Sequence, residues 1–200
     1  HHTLGFVIVE IKDSSIFFVR QVTAVESGDF TDLYYKVEYQ KAEGKSKILK
    51  NKKAAAIVLG DLHYGQHDER VISKTLDLLK EIKPENVILH DVFDGLSINH
   101  HESKDPFIQY QREVDGTNSL KREVDQMLIG LKDFEKYNVV IVRSNHDDFL
   151  DRWLKSTDWR KATTLKNSIE YMEYSTLLLK GEAPNGVIPY LINRKYPKFK

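Results

Sequence analysis

Three short polar clusters in the sequence carry residue types that hold metal ions and move protons: "GDLHYG" at 60–65, "HDVFDG" at 90–95 and "SNHDD" at 144–148. Between them they supply Asp61, His63, Asp91, Asp94, Asn145, His146 and Asp147. Carboxylate and carboxamide oxygens with imidazole nitrogens suit Mg²⁺, Mn²⁺, Fe or Zn²⁺. A His held by an Asp can also donate a proton or stabilise charge near neutral pH. Singly, each cluster is ordinary. An Asp-x-His after a strand can cap a helix, and "NHDD" can cap the helix that opens at "FLDRWL".

Their positions make them a set, because each closes an apolar run. "AAAIVL" (54–59), "NVILH" (86–90) and "NVVIVRS" (138–144) read as buried strands. Between the first two, Ile72, Leu76, Leu79 and Lys83 fall on one helical stripe. Val71, Leu78 and Ile82 widen it, and Pro84 marks its stop. Before the third strand, Leu120, Val124, Leu128 and Leu131 form a second stripe, with Met127 and Phe134 beside it. Strand and helix in alternation predict right-handed crossovers and a largely parallel α/β sheet flanked by helices. The carboxyl ends of such strands share one edge, so the three clusters are expected to meet there. Carboxylates crowded together repel one another unless a cation neutralises them, which predicts a metal site.

The rest of the chain divides by style. Residues 4–50 are rich in β-branched and aromatic residues, as in "LGFVIVEI", "SIFFVRQVTAV" and "DLYYKVEYQ", with turns at "SGD" and "EGKS". We therefore expect a β-rich accessory module over 1–52 and the α/β domain over 53–200. Between Asp94 and a helix expected at Thr117 lies an insert from which His100, His101, Tyr110 and Arg112 could reach a phosphate; the same segment also reads as a solvated loop. Beyond His146, "FLDRWLKS" starts a helix, "KATTLKNSIEYMEYSTLLLKG" is a long helical run, and "NRKYPKFK" is a basic end.

Composition narrows the classes. No apolar run approaches 18 residues, so no membrane span is expected, and with no signal peptide visible the expected location is cytoplasmic. There is no cysteine, which excludes thiolate sites and disulfides. The zero net charge hides a pattern. Residues 61–150 carry 11 Lys/Arg against 18 Asp/Glu (−7), whereas 1–60 carry 9 against 7 (+2) and 151–200 carry 10 against 5 (+5). An acidic centre between basic flanks suits cations in the middle and a polyanion around it; a solvated surface of uneven charge reads the same way.

In order and spacing the clusters resemble the calcineurin-like metallophosphoesterase superfamily, whose pattern is G-D-x-H-x-G, G-D-x-x-D, G-N-H-D/E and later a lone His and G-H-x-H. "GDLHYG" matches fully. His90 and Ser144 stand where Gly is usual, and both departures spare the metal-bearing positions. The resemblance covers roughly residues 54–150. It implies the N-terminal part of the metallophosphoesterase fold, with two divalent metal ions, Mn²⁺ first and Mg²⁺, Fe or Zn²⁺ as alternatives. Asp61 and His63 would hold one ion, Asp91 would bridge both and Asn145 would hold the second. His146 would stand beside the departing oxygen, oriented by Asp94. No His follows His146, so the later ligands are missing, and we expect a fragment or ordered part of a longer protein rather than a degenerate pseudo-enzyme.

"GLSINHHESKDP" and "NHDDFLDRW" look most like phage-encoded and DNA-repair-type nucleases of the superfamily. Protein phosphatases have Arg-Gly where Gly95-Leu96 stand here. No recognised nucleic-acid-binding module is visible. The resemblance thus implies a phosphodiesterase acting on DNA, in the host cytoplasm if phage-encoded. The alternatives are a phosphomonoesterase or nucleotide hydrolase, or a non-catalytic scaffold or assembly module; in any of these the β-rich module could join copies into a homo-oligomer.

Overall fold

A computed structural model describes residues 4–33, 35–50, 54–99, 101–102, 105–158, 160 and 167–200. The chain divides into two compact units, His1–Ala54 and Ala55–Lys200.

In the first unit β1 (Gly5–Ile11) and β2 (Phe17–Thr23) form an antiparallel ribbon, with Val9 opposite Val19. β3 (Phe30–Asp32), β4 (Tyr35–Gln40) and β5 (Lys45–Lys50) form a second antiparallel sheet in that order. Phe6 packs edge-on to Phe30 with ring centroids 5.0 Å apart. Arg20 on β2 grips the Asp32 carboxylate with two hydrogen bonds of 2.6 and 3.0 Å and also reaches Glu10.

The second unit is mixed α/β, built on a three-stranded parallel sheet in the order β6 (Ala56–Leu59), β7 (Asn86–His90), β8 (Val139–Val142). Ile57 pairs with Val87, and Val87 with Val139. Helix α1 (Glu69–Ile82) crosses from β6 to β7. The Asp68 side chain accepts from the Arg70 amide at its start. At its end Lys83, before Pro84, takes a left-handed conformation and donates to the Leu79 carbonyl. Leu79 of this helix is buried, as are Val87, Leu89 and Val139 of the sheet. The apolar face of α1 is narrower than its sequence suggests, since Val71 is 60% and Leu78 44% exposed.

Between β7 and β8 the expected insert is largely helical. A 3-10 turn (Leu96–Ile98) leads to α2 (Pro106–Val114), then α3 (Leu120–Gly130) and a second 3-10 turn (Leu131–Phe134). Asp105 caps α2 by accepting from the Phe107 and Ile108 amides, with Pro106 in the first turn. The third element group comprises α4 (Phe149–Ser156), α5 (Ser168–Leu179) and α6 (Val187–Lys195). The long helical run predicted from Lys161 is seen from Ser168; residues 161–166 lie outside the described residues. Helix α6 was missed; most of it precedes the basic end, and only its last turn overlaps that segment. It starts where the Asp151 side chain of α4 accepts from the Val187 amide at 3.0 Å. Lys200 exchanges backbone hydrogen bonds with Val139 and Ile141 along the outer edge of β8.

One close approach fixes the first polar loop against this core. Gly130, ending α3, lies so near Tyr64 that a Cβ there would overlap the ring. Helix propensity alone makes Gly130→Ala stabilising by up to about 1 kcal/mol. We expect the opposite sign, a loss of about 1–3 kcal/mol from overpacking, read as a lower urea midpoint at unchanged slope.

Candidate metal centre

Where the chain leaves β6 and β7, three residues with side chains adopt left-handed backbone: Asp61 (φ 53°), His63 (φ 40°) and Asp91 (φ 50°). Each such residue costs about 1–3 kcal/mol, persists only where its surroundings impose it, and tends to mark a functional site. Here the turns bring two strand ends together. The His63 amide donates to the Asp91 carbonyl at 2.8 Å, and the Tyr64 amide to that of Val92 at 3.2 Å.

Among the described residues, ligand atoms of Asp61, His63 and Asp91 lie within 4.8 Å of one another, and so do those of His63, Asp94 and His146. His63 joins both groups. Its Nε2 is 3.6 Å from Asp61 Oδ1, and its Nδ1 is 3.1 Å from Asp94 Oδ1, close but not aligned as a hydrogen bond. Asp61 is open to solvent, whereas Asp91 is only 4% exposed. His90 Nδ1 lies 2.6 Å from Asp91 Oδ2, and Asp91 Oδ1 is buried with no partner. A buried carboxylate oxygen without a partner is expensive, and this one lies beside donors that suit a cation.

The third cluster is tied to the second. Asp147 Oδ1 accepts from the Phe93 amide at 3.1 Å and Oδ2 from the Ser144 hydroxyl at 2.9 Å. Burial pushes the Asp147 carboxyl up, and the Asp91 charge adds to it. The His146 ring stands edge-on to His63 at 4.5 Å. Asp94, which the sequence analysis expects to orient His146, meets it through the backbone: His146 Nδ1 lies 3.2 Å from the Asp94 carbonyl, to which Nδ1–H can donate, while the Asp94 carboxylate faces His63. Asn145 is exposed, its backbone carbonyl accepting from Arg152 at 2.5 Å.

Of the described insert residues that could reach a phosphate, Arg112 is turned inward. Arg112 is buried and donates to the Leu96 carbonyl and to Glu102, so it braces the 3-10 turn. Tyr110 is exposed on α2, the His101 amide donates to Asn99 within a turn, and His100 lies outside the described residues. Glu123 does structural work around the site that the sequence did not single out. Glu123, on α3, accepts from the Ser97 amide at 3.1 Å and from its hydroxyl, holding the turn that follows Asp94.

No family model matches the chain, and no solved structure matches it. Among curated proteins it is similar to Protein A1 of Escherichia phage T5, with 30% identity over 163 residues covering 76% of this chain. The chain spans 28% of the length of that relative. Among the described residues no helix is long and apolar enough to cross a membrane.

Burial pushes the Glu123 carboxyl up to about 7 from 4.5. At pH values below 4.5 it is neutral in both folded and unfolded chains, and its full contribution to stability is present. As pH rises through about 7 the folded state resists ionisation and that stability, at most about 3 kcal/mol, is lost. Glu123→Gln stays neutral and keeps an acceptor for Ser97. It should melt several degrees above the parent at roughly pH 8, with the gap closing as pH falls to roughly 5.

Proposed function

We propose that the protein is a metal-dependent phosphodiesterase that hydrolyses DNA, with the metallophosphoesterase arrangement at its strand ends. The reading rests on the convergence of Asp61, His63 and Asp91, all in left-handed backbone, around a buried carboxylate oxygen that has no partner. The donor set of carboxylates and imidazole without thiolate accommodates Mn²⁺, Mg²⁺, Fe or Zn²⁺, and the family resemblance favours Mn²⁺. Asp61, His63 and Asp91 would hold one ion, and Asp91 with Asn145 the second. Divalent cations so held acidify water to a nucleophile near neutral pH and neutralise charge on a phosphate.

The chain's own groups then divide the work. Asp91, at the end of the central strand, would serve both ions. His146 is steadied by the Asp94 carbonyl through Nδ1, which leaves Nε2 to exchange a proton with the departing oxygen. The Asp94 carboxylate, 3.1 Å from His63, orients that ring as an outer partner. DNA is the substrate class favoured by the nuclease-like segments after the second and third clusters, and similarity to a phage protein accords with it. If the protein is of phage origin, as its similarity to a phage protein suggests, it would act in the host cytoplasm.

Full-length protein with Mn²⁺ should nick or degrade plasmid DNA and stop on chelation. Hydrolysis of p-nitrophenyl phosphate without DNA cleavage would instead identify a phosphomonoesterase, and inactivity on both with metal bound would identify a non-catalytic module. His146→Ala should lower turnover by about 10²–10⁴-fold while leaving Mn²⁺ binding intact. Loss of metal in that variant would show that His146 is a ligand.

A further inference from the structure

In the reading above Asp91 and Asn145 give the second ion two protein ligands, and a cation held by two ligands keeps mostly water and binds weakly. Yet one imidazole, absent from both donor clusters, already touches the carboxylate that must serve this ion.

The geometry points to His90, outside the cluster of Asp61 and His63, as a nitrogen ligand of a cation held by Asp91; the inference rests on the metal-centre reading. His90 Nδ1 lies 2.6 Å from Asp91 Oδ2. Two ligands of one ion, each bonded at roughly 2.0–2.2 Å, stand roughly 3 Å apart, so a small adjustment makes this pair a chelate. His90 belongs to neither donor cluster, which separates its position from that of the first ion. The Asp91 carboxylate is deeply buried, and Oδ1 has no partner. The hydrogen bond from one neighbouring His therefore satisfies half of the group and leaves the remainder for cations.

The backbone explains how adjacent residues come to face each other. His90 is the last residue of β7, and in a continuing strand Asp91 would point to the opposite side of the sheet. The left-handed turn at Asp91 breaks that alternation. The His90 side chain is 41% exposed, so an ion can reach it and the core does not depend on it. Ligation needs only the tautomer with the proton on Nε2 and the Nδ1 lone pair turned to the ion. The assignment is particular to this chain, because His90 stands where the resembled pattern has Gly.

The test uses full-length protein and Mn²⁺ alone. Free Mn²⁺ is counted by electron paramagnetic resonance, and bound Mn²⁺ is examined by pulsed methods for coupling to nitrogen. The parent should bind two ions, with nitrogen couplings at both. His90→Ala and His90→Gln should keep the parent's circular dichroism and bind the first ion normally. They should bind the second at least about tenfold more weakly and lose its nitrogen coupling. His63→Ala should do the reverse. If both His90 variants keep the parent's count, affinity and couplings, the metal centre stands and His90 is only a hydrogen-bonding neighbour, which overturns the inference. If the parent binds no Mn²⁺, the metal-centre reading and this inference fall together.

Discussion

Asp91 must keep a carboxylate almost wholly out of water at the end of the central strand, and neighbouring groups are organised around that demand. Ionised oxygen away from solvent is costly unless hydrogen bonds and positive charge compensate it. His90 answers on Oδ2, and the His63 amide answers on the backbone carbonyl of the same residue. The parallel sheet creates the demand, since it delivers Asp61, Asp91 and Asp147 to one edge. The Asp91 charge adds to the upward push on the Asp147 carboxyl.

The loops that carry these groups are braced individually. Asp147 joins the Phe93 amide to Ser144, which couples the second loop to the third. Glu123 and Arg112 fasten the 3-10 turn after Asp94 from two different helices. The Tyr64 ring fills the space that Gly130 leaves, which holds the first loop against α3. Each brace comes from an element distant in sequence, so the site's geometry depends on helix packing as much as on the strands.

The strands and the polar residues at their ends were legible because burial on a parallel sheet demands apolar runs, and a sudden polar stop needs a reason. Helix α1 was legible in existence and in its stop at Pro84. Its face was read too wide, because Val71 and Leu78 extend the apolar stripe without meeting the core. Helix α2 was read past, although Asp105 and Pro106 signal its start. That the Asp94 carboxylate meets His63 while its carbonyl meets His146 depends on which group the loop turns inward. No spacing in the sequence encodes that. His90 was seen only as a departure from a pattern, since its contact depends on the turn at Asp91.

The three left-handed residues set folding and chemistry against each other. Glycine adopts φ values of 40–53° without steric penalty, and asparagine tolerates them well. Selection for heat resistance alone would therefore favour drift at 61, 63 and 91 towards side chains that relax the backbone and dismantle the donor cluster. Laboratory evolution that rewards only soluble yield should yield sturdier proteins with emptied strand ends. Keeping Asp, His and Asp at these positions then requires continuing selection on what the residues bind.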